Sequence, residues 1–540
     1  MTSKTGSGLT RGPRFLVSIK TSVIMDAKSV SEWGFNSYSL VESAGQNCAR
    51  VFLEAAGHLI STGTKFAAAI GAGNNGADAM AMLRYLILKG NLQASSLSLV
   101  LKRMPKNGET GPWVDLLKSL KKLKVPVMVW DGDIGEDAGC ASNDIIAHSD
   151  IIIDGISGTG INGPLSGKAL EMVKVINLHK NNIDDSAGKL NKNKLPYVVS
   201  IDLPSGNGDD WKPGMPIINA DLTLAIEPEK YCNYSPAARP YAGNIIPVQG
   251  IFPQELIKSH SEAESLDWET VNKRISKVRP TAYKNQRGNV EVHAGSPGTT
   301  GAAMISSRGA QVVGAGLVRL IADDDIYPIL ASQAGGIMVI PVSLNASSRS
   351  DAILLGPGWG KTKNREVIIE YALSLEKKGI PLIIDADALE LVKGRVFNNN
   401  AILTPHPGEF SNYSGIDKDE LLQNPFSILL KFAREKKAVI LFKGHVITIA
   451  APDGRVGIVD GMTPALAMGG SGDLLAGFCA GIAARMYREE NNFNAYNCAA
   501  AAAGLLIAAG KSSGLKTRFS DPLEIASKAA DMAGEAWLNL

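Results

Sequence analysis

The chain has 540 residues, more than a single hydrophobic core organises, since such cores stop growing near about 250 to 300 residues, so two domains are expected. Hydrophobic residues make up 45%, charged residues 20%, and the formal net charge is +2; this is globular composition, and the charge balance excludes an electrostatic case for a nucleic acid or a membrane surface as partner. Five scattered cysteines, Cys48, Cys140, Cys232, Cys479 and Cys498, never fall in a C-x-x-C pair, so neither a disulfide framework nor a zinc site is expected and a reducing, cytoplasmic setting fits.

Residues 1–20 carry no apolar core of the secretory kind, and the longest apolar stretch, Cys498 to Ala509, is shorter than the roughly 18 residues needed to cross a bilayer. Helical periodicity runs from Leu40 to Leu59, and the apolar run Phe66 to Ile70 predicts a buried strand. From that strand the turn Gly71-Ala72-Gly73-Asn74-Asn75-Gly76-Ala77-Asp78 leads into a helix expected over Ala79 to Lys89. The turn satisfies G-x-G-x-x-G, but the next strand, Leu97 to Leu101, ends in Lys102 and Arg103 where a dinucleotide fingerprint carries an acidic residue for the ribose. The asparagines and Asp78 point instead to a site for a polar ligand. A second strand, Ile151 to Ile153, ends in Asp154 and precedes another glycine-rich run, Gly155 to Pro164; a third, Tyr197 to Ile201, ends in Asp202-Leu203-Pro204-Ser205-Gly206. Polar groups thus gather at strand carboxyl ends, where open parallel sheets bind ligands. Asp154 and Asp202 read equally as strand-end turn residues or helix caps. Asn177 to Lys194 is polar and reads as an exposed insertion.

The motifs LVESAG (Leu40 to Gly45), GAGNNGAD, the Asp154 to Pro164 run and DLPSG, in this order over most of Met25 to Pro253, resemble the epimerase domain of the NAD(P)H-hydrate repair enzymes. The resemblance implies a Rossmann-like three-layer α/β sandwich over residues 1–257 that interconverts the R and S epimers of hydrated NADH and NADPH with a bound K⁺. By position, Asn74, Asn75, Gly76, Ala77, Asp78, Gly158, Thr159, Gly160, Ile161, Asn162, Gly163 and Pro164 would contact the substrate. Asn75, Asp154 and Ser205 would offer oxygens to K⁺, and Asp202 would be catalytic, moving a proton or stabilising positive charge at the nicotinamide ring. Ala77 and Ala79 stand where that family's pattern has glycines, and a Cβ there is expected to crowd a backbone approaching a ligand.

Lys258 to Asn272 is polar and acidic, so the linker is placed at 258–272 and a second domain at 273–540. There Val290 to Ala294 predicts a strand, and a glycine-rich turn to Gly301 opens a long helix expected over Ala302 to Leu320. Strands follow at Ala352 to Leu355, before Gly-Pro-Gly-Trp-Gly; Leu382 to Ile384, before Asp385-Ala386-Asp387-Ala388-Leu389; Ile402 to Thr404, before Pro405-His406-Pro407-Gly408-Glu409-Phe410; and Ala438 to Phe442, before Lys443-Gly444. Apolar strands alternating with helices predict a mostly parallel sheet. Late in the chain Gly469-Gly470-Ser471-Gly472-Asp473 precedes an apolar helix expected from Leu474 to Met486. A glycine turn feeding a helix N-terminus can hold a phosphate, and a carboxylate beside it can take a proton from an attacking hydroxyl; Asp473 reads alternatively as a plain N-cap.

AGSPGTTGAA, GPGWG, DADAL, HPGEF, KG and GGSGDLLAG in this order, over about Arg274 to Leu540, resemble the dehydratase domain of the same repair family, which has a ribokinase-like α/β fold. The resemblance implies dehydration of hydrated NAD(P)H at the expense of ADP with Mg²⁺, by phosphoryl transfer to the ring hydroxyl and elimination of phosphate. Asp473 would be the catalytic base, Gly472 part of the anion site, and Lys443, Gly444, His445, Val446 and Ile447 would contact the nucleotide. Ala302, Gly358 and His406 would contact the hydrated substrate. Small-molecule substrates, a homo-oligomer, and neither nucleic acid nor membrane are the expected partners. A ribokinase-like kinase with a non-catalytic N-terminal domain is the rival, and a stable phosphorylated product would favour it.

Overall fold

The computed structural model describes residues 14–132, 141–160, 163–180, 195–344, 349–360, 365–490, 493–512 and 519–538. They fall into two units, Phe15–Glu262 and Ala263–Leu540, with Arg14 grouped with the latter.

In the first unit the strands are β1 (Arg14–Val17), β2 (Phe66–Ile70), β3 (Leu97–Leu101), β4 (Val127–Val129), β5 (Ile151–Gly155), β6 (Tyr197–Ile201), β7 (Leu222–Ile226), β8 (Glu229–Lys230) and β9 (Asn244–Val248). Seven of them form a parallel sheet in the order β4-β3-β2-β5-β6-β7-β9. Counted from β2, the first six run 3-2-1-4-5-6, the doubly wound order, and its direction reverses between β2 and β5. Side chains alternate across the sheet with period two: Phe66, Ala68 and Ile70 enter one core and Ala67 and Ala69 the other. Both faces are therefore buried, which is why FAAAI and the III that opens β5 carry no polar face.

The second unit adds β10 (Ala263–Ser265), β11 (Asn289–His293), β12 (Leu317–Ala322), β13 (Met338–Pro341), β14 (Ala352–Leu355), β15 (Leu382–Ile384), β16 (Ala401–Leu403), β17 (Val439–Phe442), β18 (Val446–Ala450) and β19 (Val456–Asp460). Their order is β13-β12-β11-β14-β15-β16-β17-β18-β19-β10. Pairing is parallel as far as β17 and antiparallel through β18 and β19. The order again reverses beside the first strand, between β11 and β14, which places the turns after those two strands at the switch point. One face carries the helices Thr300–Val312, Ser471–Glu490, Ala495–Gly510 and Pro522–Trp537; the other carries Arg365–Glu376, Pro407–Ser414 and Pro425–Lys436.

Four elements differ from the sequence expectation, each for a local reason. The helix expected from Ala79 begins at Asn74, because first-turn residues need no intrahelical N–H partner and so tolerate asparagine and glycine. The helix expected from Leu474 begins at Ser471 on the same grounds. The long helix expected over Ala302 to Leu320 is the helix Thr300–Val312 followed by strand β12: Gly314 has φ 99°, and a Cβ on Gly316 would lie 1.7 Å from the Lys284 carbonyl oxygen. Residues 258–272 are not bare linker. They carry the end of helix Gln254–His260, strand β10 and helix Trp268–Val271, with Leu266 and Val271 buried. Of the expected insertion 177–194, residues 177–180 close the helix Gly167–Lys180, and 181–194 lie outside the described residues.

Candidate functional site

In the first unit a cavity of about 710 Å³ opens at the carboxyl ends of β2, β5 and β6, beside the point where strand order reverses. Two backbones cross closely there. A Cβ on Gly71 would stand 1.9 Å from the Ile156 carbonyl oxygen, and one on Gly76 would stand 2.2 Å from that of Gly71, so the turn admits only glycine at both positions.

Of the residues expected to touch substrate, Asn74, Asn75, Gly76, Asp78, Gly158, Thr159 and Gly160 line this cavity, as does Asp202. Ala77 does not: it is 1% exposed and its methyl packs in the core with Ala79. Both alanines are helical, where alanine is favoured over glycine, so the expected crowding does not arise. Gly163 and Pro164 are exposed and off the cavity wall, while Ile161 and Asn162 lie outside the described residues.

Asp202 sits just past β6 with φ 67°, a left-handed conformation that aspartate tolerates better than most residues. Its carboxylate accepts a hydrogen bond from Lys230 Nζ at 2.8 Å, and its carbonyl one from Asn233 at 3.1 Å. Burial raises the Asp202 pKa and the Lys230 ammonium opposes that rise. Asp78 is pushed well above the ordinary carboxyl range, by burial first and then by the Asp202 charge, and burial also raises Asp26 on the helix Ile19–Trp33. Asp26, Asp78 and Asp202 therefore meet the Lys230 ammonium on the cavity wall. The ammonium balances one negative charge, so the remaining carboxyls favour their acid form. Lys230 and Asp26 were missed in the sequence. Lys230 follows Glu227-Pro228-Glu229 and reads there as a surface charge, yet it is 4% exposed.

Asp154 and Ser205 lie fully buried behind the cavity. The Asp154 carboxylate accepts hydrogen bonds from Ser200 Oγ at 2.7 Å, Ser205 N at 2.8 Å, Ser205 Oγ, and Ile156 N at 3.3 Å. Burial raises its pKa, and hydrogen bonds from the two serines oppose this without any cationic side chain. Asn75 Nδ2 donates to the Ser157 carbonyl at 2.9 Å, and Ser157 Oγ is buried without a hydrogen-bond partner among the described residues. This donor set is all oxygen with an uncompensated carboxylate, and it fits a hard monovalent cation.

In the second unit the chemistry-bearing groups meet at the carboxyl ends of β15, β16 and β17. Asp385, 1% exposed after β15, accepts hydrogen bonds from Thr404 Oγ1 and from Lys443 Nζ, both at 2.7 Å. Lys443, just past β17, also has Glu409 Oε2 at 3.6 Å. Burial works against its ammonium, but Asp385 and Glu409 hold the Lys443 pKa above its ordinary value. A Cβ on Gly472 would lie 3.4 Å from Lys443 Nζ, so the start of helix Ser471–Glu490 stands directly against this cluster. Asp473, in that helix's first turn, is pushed up to about 6 by burial and by the Asp385 charge, with Lys443 pulling the other way. Among the described residues the Asp473 carboxylate makes no hydrogen bond to its own helix, and Leu474 N bonds to the Gly470 carbonyl at 2.9 Å. The carboxylate is left half-buried beside an open helix N-terminus and a lysine.

Gly358 and Ala302 meet at the switch point, where a Cβ on Gly358 would be 2.9 Å from that of Ala302 and the Gly358 carbonyl accepts Thr299 Oγ1 at 2.7 Å. His406 caps the helix Pro407–Ser414: its Nδ1 accepts from Gly408 N at 3.1 Å and Glu409 N at 3.2 Å, and its ring is half exposed. Gly444 and His445 are exposed beside Lys443. Val446 and Ile447 have their side chains buried in β18, so only their backbone is free to face a ligand. Sequence reasoning singled out neither Thr404 nor Glu409 as an individual partner, although Glu409 stands inside the quoted HPGEF motif.

Two families match the chain in succession: the YjeF-related protein N-terminus over residues 37–232 and NAD(P)H-hydrate dehydratase over residues 290–528. The bifunctional NAD(P)H-hydrate repair enzyme of Thermofilum pendens is 27% identical over 482 residues, covering 85% of this chain and 85% of that protein. The Synechocystis enzyme of the same name is 28% identical, covering 79% and 78% respectively. The chain belongs to the NAD(P)H-hydrate repair family. Within that family's frame Asp202 and Lys230 fall in the first matched segment, and Asp385, Lys443 and Asp473 in the second. Among solved structures, the ADP/ATP-dependent NAD(P)H-hydrate dehydratase of Bacillus subtilis co-crystallised with ATP and Mg²⁺ aligns at 23% identity with a TM-score of 0.42, covering 50% of this chain and 98% of that one.

Proposed function

We propose that this NAD(P)H-hydrate repair family member mends hydrated NADH and NADPH with two activities in one polypeptide. The cavity of the first unit interconverts the R and S epimers, and the cluster around Asp473 dehydrates the S epimer using ADP, releasing AMP and phosphate. The observation that carries this is the carboxylate of Asp473, its pKa raised to about 6 in the first turn of a helix whose start lies against Lys443. A carboxylate with a pKa of about 6 is ionised at physiological pH yet basic enough to take a hydroxyl proton as the oxygen attacks phosphorus. The helix N-terminus at Gly472, together with Lys443, stabilises the charge that grows on the transferring phosphoryl group. Once phosphorylated, the former hydroxyl departs as phosphate with cleavage of the ring C–O bond, and loss of a proton from the neighbouring ring carbon to solvent restores the double bond. Gly444 to Ile447 present backbone to the nucleotide, while Ala302, Gly358 and His406 border the hydrated ring.

Mg²⁺ comes with the nucleotide, held chiefly by phosphate oxygens; among the described residues there is no trio of metal-ligating side chains to hold it alone. In the first unit Asn75, Asp154 and Ser205 hold K⁺, which supplies the positive charge that the buried Asp154 lacks. Asp202, paired with Lys230, is the ionised group at the reacting ring, and Asp78 stands by in its acid form. Substrates are small molecules. The same reading makes the protein a cytoplasmic homo-oligomer, which sedimentation and fractionation check; no helix among the described residues is long and apolar enough to cross a membrane.

The deciding experiment incubates the purified chain with hydrated NADH and either ADP or ATP, follows recovery of nicotinamide absorbance, and identifies the spent nucleotide. Asp473→Asn is expected to lose dehydration by about 10²- to 10⁴-fold while retaining epimerisation and nucleotide binding; Asp202→Asn is expected to do the reverse. A stable phosphorylated product, or near-normal dehydration by Asp473→Asn, overturns the reading.

A further inference from the structure

The ends of β2 and β3 carry a feature that neither activity has used. The helix Asn74–Leu88 opens on the cavity with Gly73 as an N-cap lacking any side-chain cap bond, so the N–H groups of its first turn face the cavity and suit a diphosphate. In a doubly wound sheet of this strand order, the strand after that helix ends at the adenosine ribose; an acidic side chain there binds the 2′-hydroxyl and a basic one accommodates a 2′-phosphate. Here that strand is β3, and Lys102 and Arg103 follow it, both on the cavity wall. Lys102 is pinned in place, its N–H bonded to the Ile70 carbonyl at 2.8 Å.

The two cations differ in what they already hold. Arg103 makes a bidentate pair with Glu109 at 2.7 and 2.8 Å and lies 5.2 Å from the Trp113 ring centre, so its charge is spent inside the protein. Lys230, deeper in the cavity, is committed to Asp202 at 2.8 Å. The Lys102 ammonium, half-buried, has no hydrogen bond or ion pair among the described residues. The other titratable groups on the wall are the carboxyls Asp26, Asp78, Asp202 and Glu227, none of which offers an anion a positive charge, so Lys102 is the place for one.

We propose that Lys102 is a phosphate subsite that recognises the adenosine 2′-phosphate, so that the first unit takes hydrated NADPH in preference to hydrated NADH. This rests on the epimerase reading for the identity of the substrate, but the subsite is testable without catalysis. A charge-assisted contact of this kind is worth about tenfold to a hundredfold in affinity.

Calorimetric titration of the full chain with ADP-ribose and with its 2′-phosphorylated form supplies the test, alongside epimerisation of both hydrated coenzymes. The wild-type chain is expected to bind the 2′-phosphorylated ligand at least about tenfold more tightly. Lys102→Gln should bring that ratio close to one while leaving ADP-ribose affinity within about twofold, and Lys102→Arg should keep the preference. Equal weakening of both ligands in Lys102→Gln, which assigns the lysine to the diphosphate or to the fold, overturns the proposal, as does a wild-type ratio near one. Loss of epimerisation with the binding ratio intact would instead count against the epimerase reading alone.

Discussion

The sharpest consequence of the second site concerns the acid limb of its pH profile. Asp473 is held at about 6, against an ordinary 3.8, by burial and by the neighbouring Asp385 charge. If the ionised form is the base, about nine-tenths of the free enzyme is competent at pH 7 and about one-eleventh at pH 5, so kcat/KM for dehydration falls roughly tenfold between them. A carboxyl at 3.8 would lose only about a twentieth of its ionised form over the same interval. Asp385→Asn removes the larger of the two carboxylate charges, Asp385 and Glu409, that add to burial in raising it, and frees Lys443 from its 2.7 Å partner; both changes favour ionised Asp473. The break therefore moves to lower pH, and the variant keeps a larger share of its own pH 7 rate at pH 5 than the wild type keeps of its own. Initial rates of phosphate release at subsaturating hydrated NADH, corrected for uncatalysed decay, measure this. A wild-type profile flat to pH 5, or a break that rises in Asp385→Asn, refutes the assignment.

Other consequences follow from packing and charge. Lys230→Met strands the buried Asp202 carboxylate, and breaking such a pair costs about 3 to 5 kcal/mol; chemical denaturation of the first unit should show it, and an unchanged midpoint would mean the pair contributes little. Gly477→Ala puts a Cβ 2.1 Å from the Ser306 carbonyl oxygen and 3.0 Å from the Gly309 backbone, which forces apart the helices Thr300–Val312 and Ser471–Glu490. About 1 to 3 kcal/mol should be lost, exceeding the gain in helix propensity, and dehydration should fall with it; a variant as stable as wild type would contradict this closeness. Exchanging K⁺ for tetramethylammonium should slow epimerisation and lower the melting temperature of the first unit. Asp154→Asn should erase that dependence, and indifference of the wild type to the exchange would remove K⁺ from the account.

How far the chain can be read without coordinates differs from feature to feature. Buried strands such as Phe66–Ile70 and Leu382–Ile384 are legible because a strand covered on both faces must be apolar throughout and is bounded by polar turns. The strand Leu317–Ala322 reads largely as helix in the sequence, since a short apolar run after an alanine-rich helix has the same hydropathy in either state; only the packing of Gly316 against Lys284 breaks it. The helix starts at Asn74 and Ser471 lie ahead of the positions the sequence suggests, because glycine and asparagine argue against a helix interior but not against its first turn.

The sequence by itself determined the mostly parallel α/β character of both units and the carboxyl-end loops that carry Asp154, Asp202, Asp385, Lys443 and Asp473, because strand periodicity and glycine-rich turns are local properties, whereas the strand order that makes the first sheet doubly wound came only with the fold. It could not determine which charges meet. Lys230 reaches Asp202 across 28 positions, Lys443 reaches Asp385 across 58, and the unpaired ammonium of Lys102 is distinguished from its paired neighbour Arg103 only by where Glu109 points. Those pairings decide which carboxyl stays ionised and which cation is left for a ligand. They depend on distance and burial, which exist only once the chain has folded.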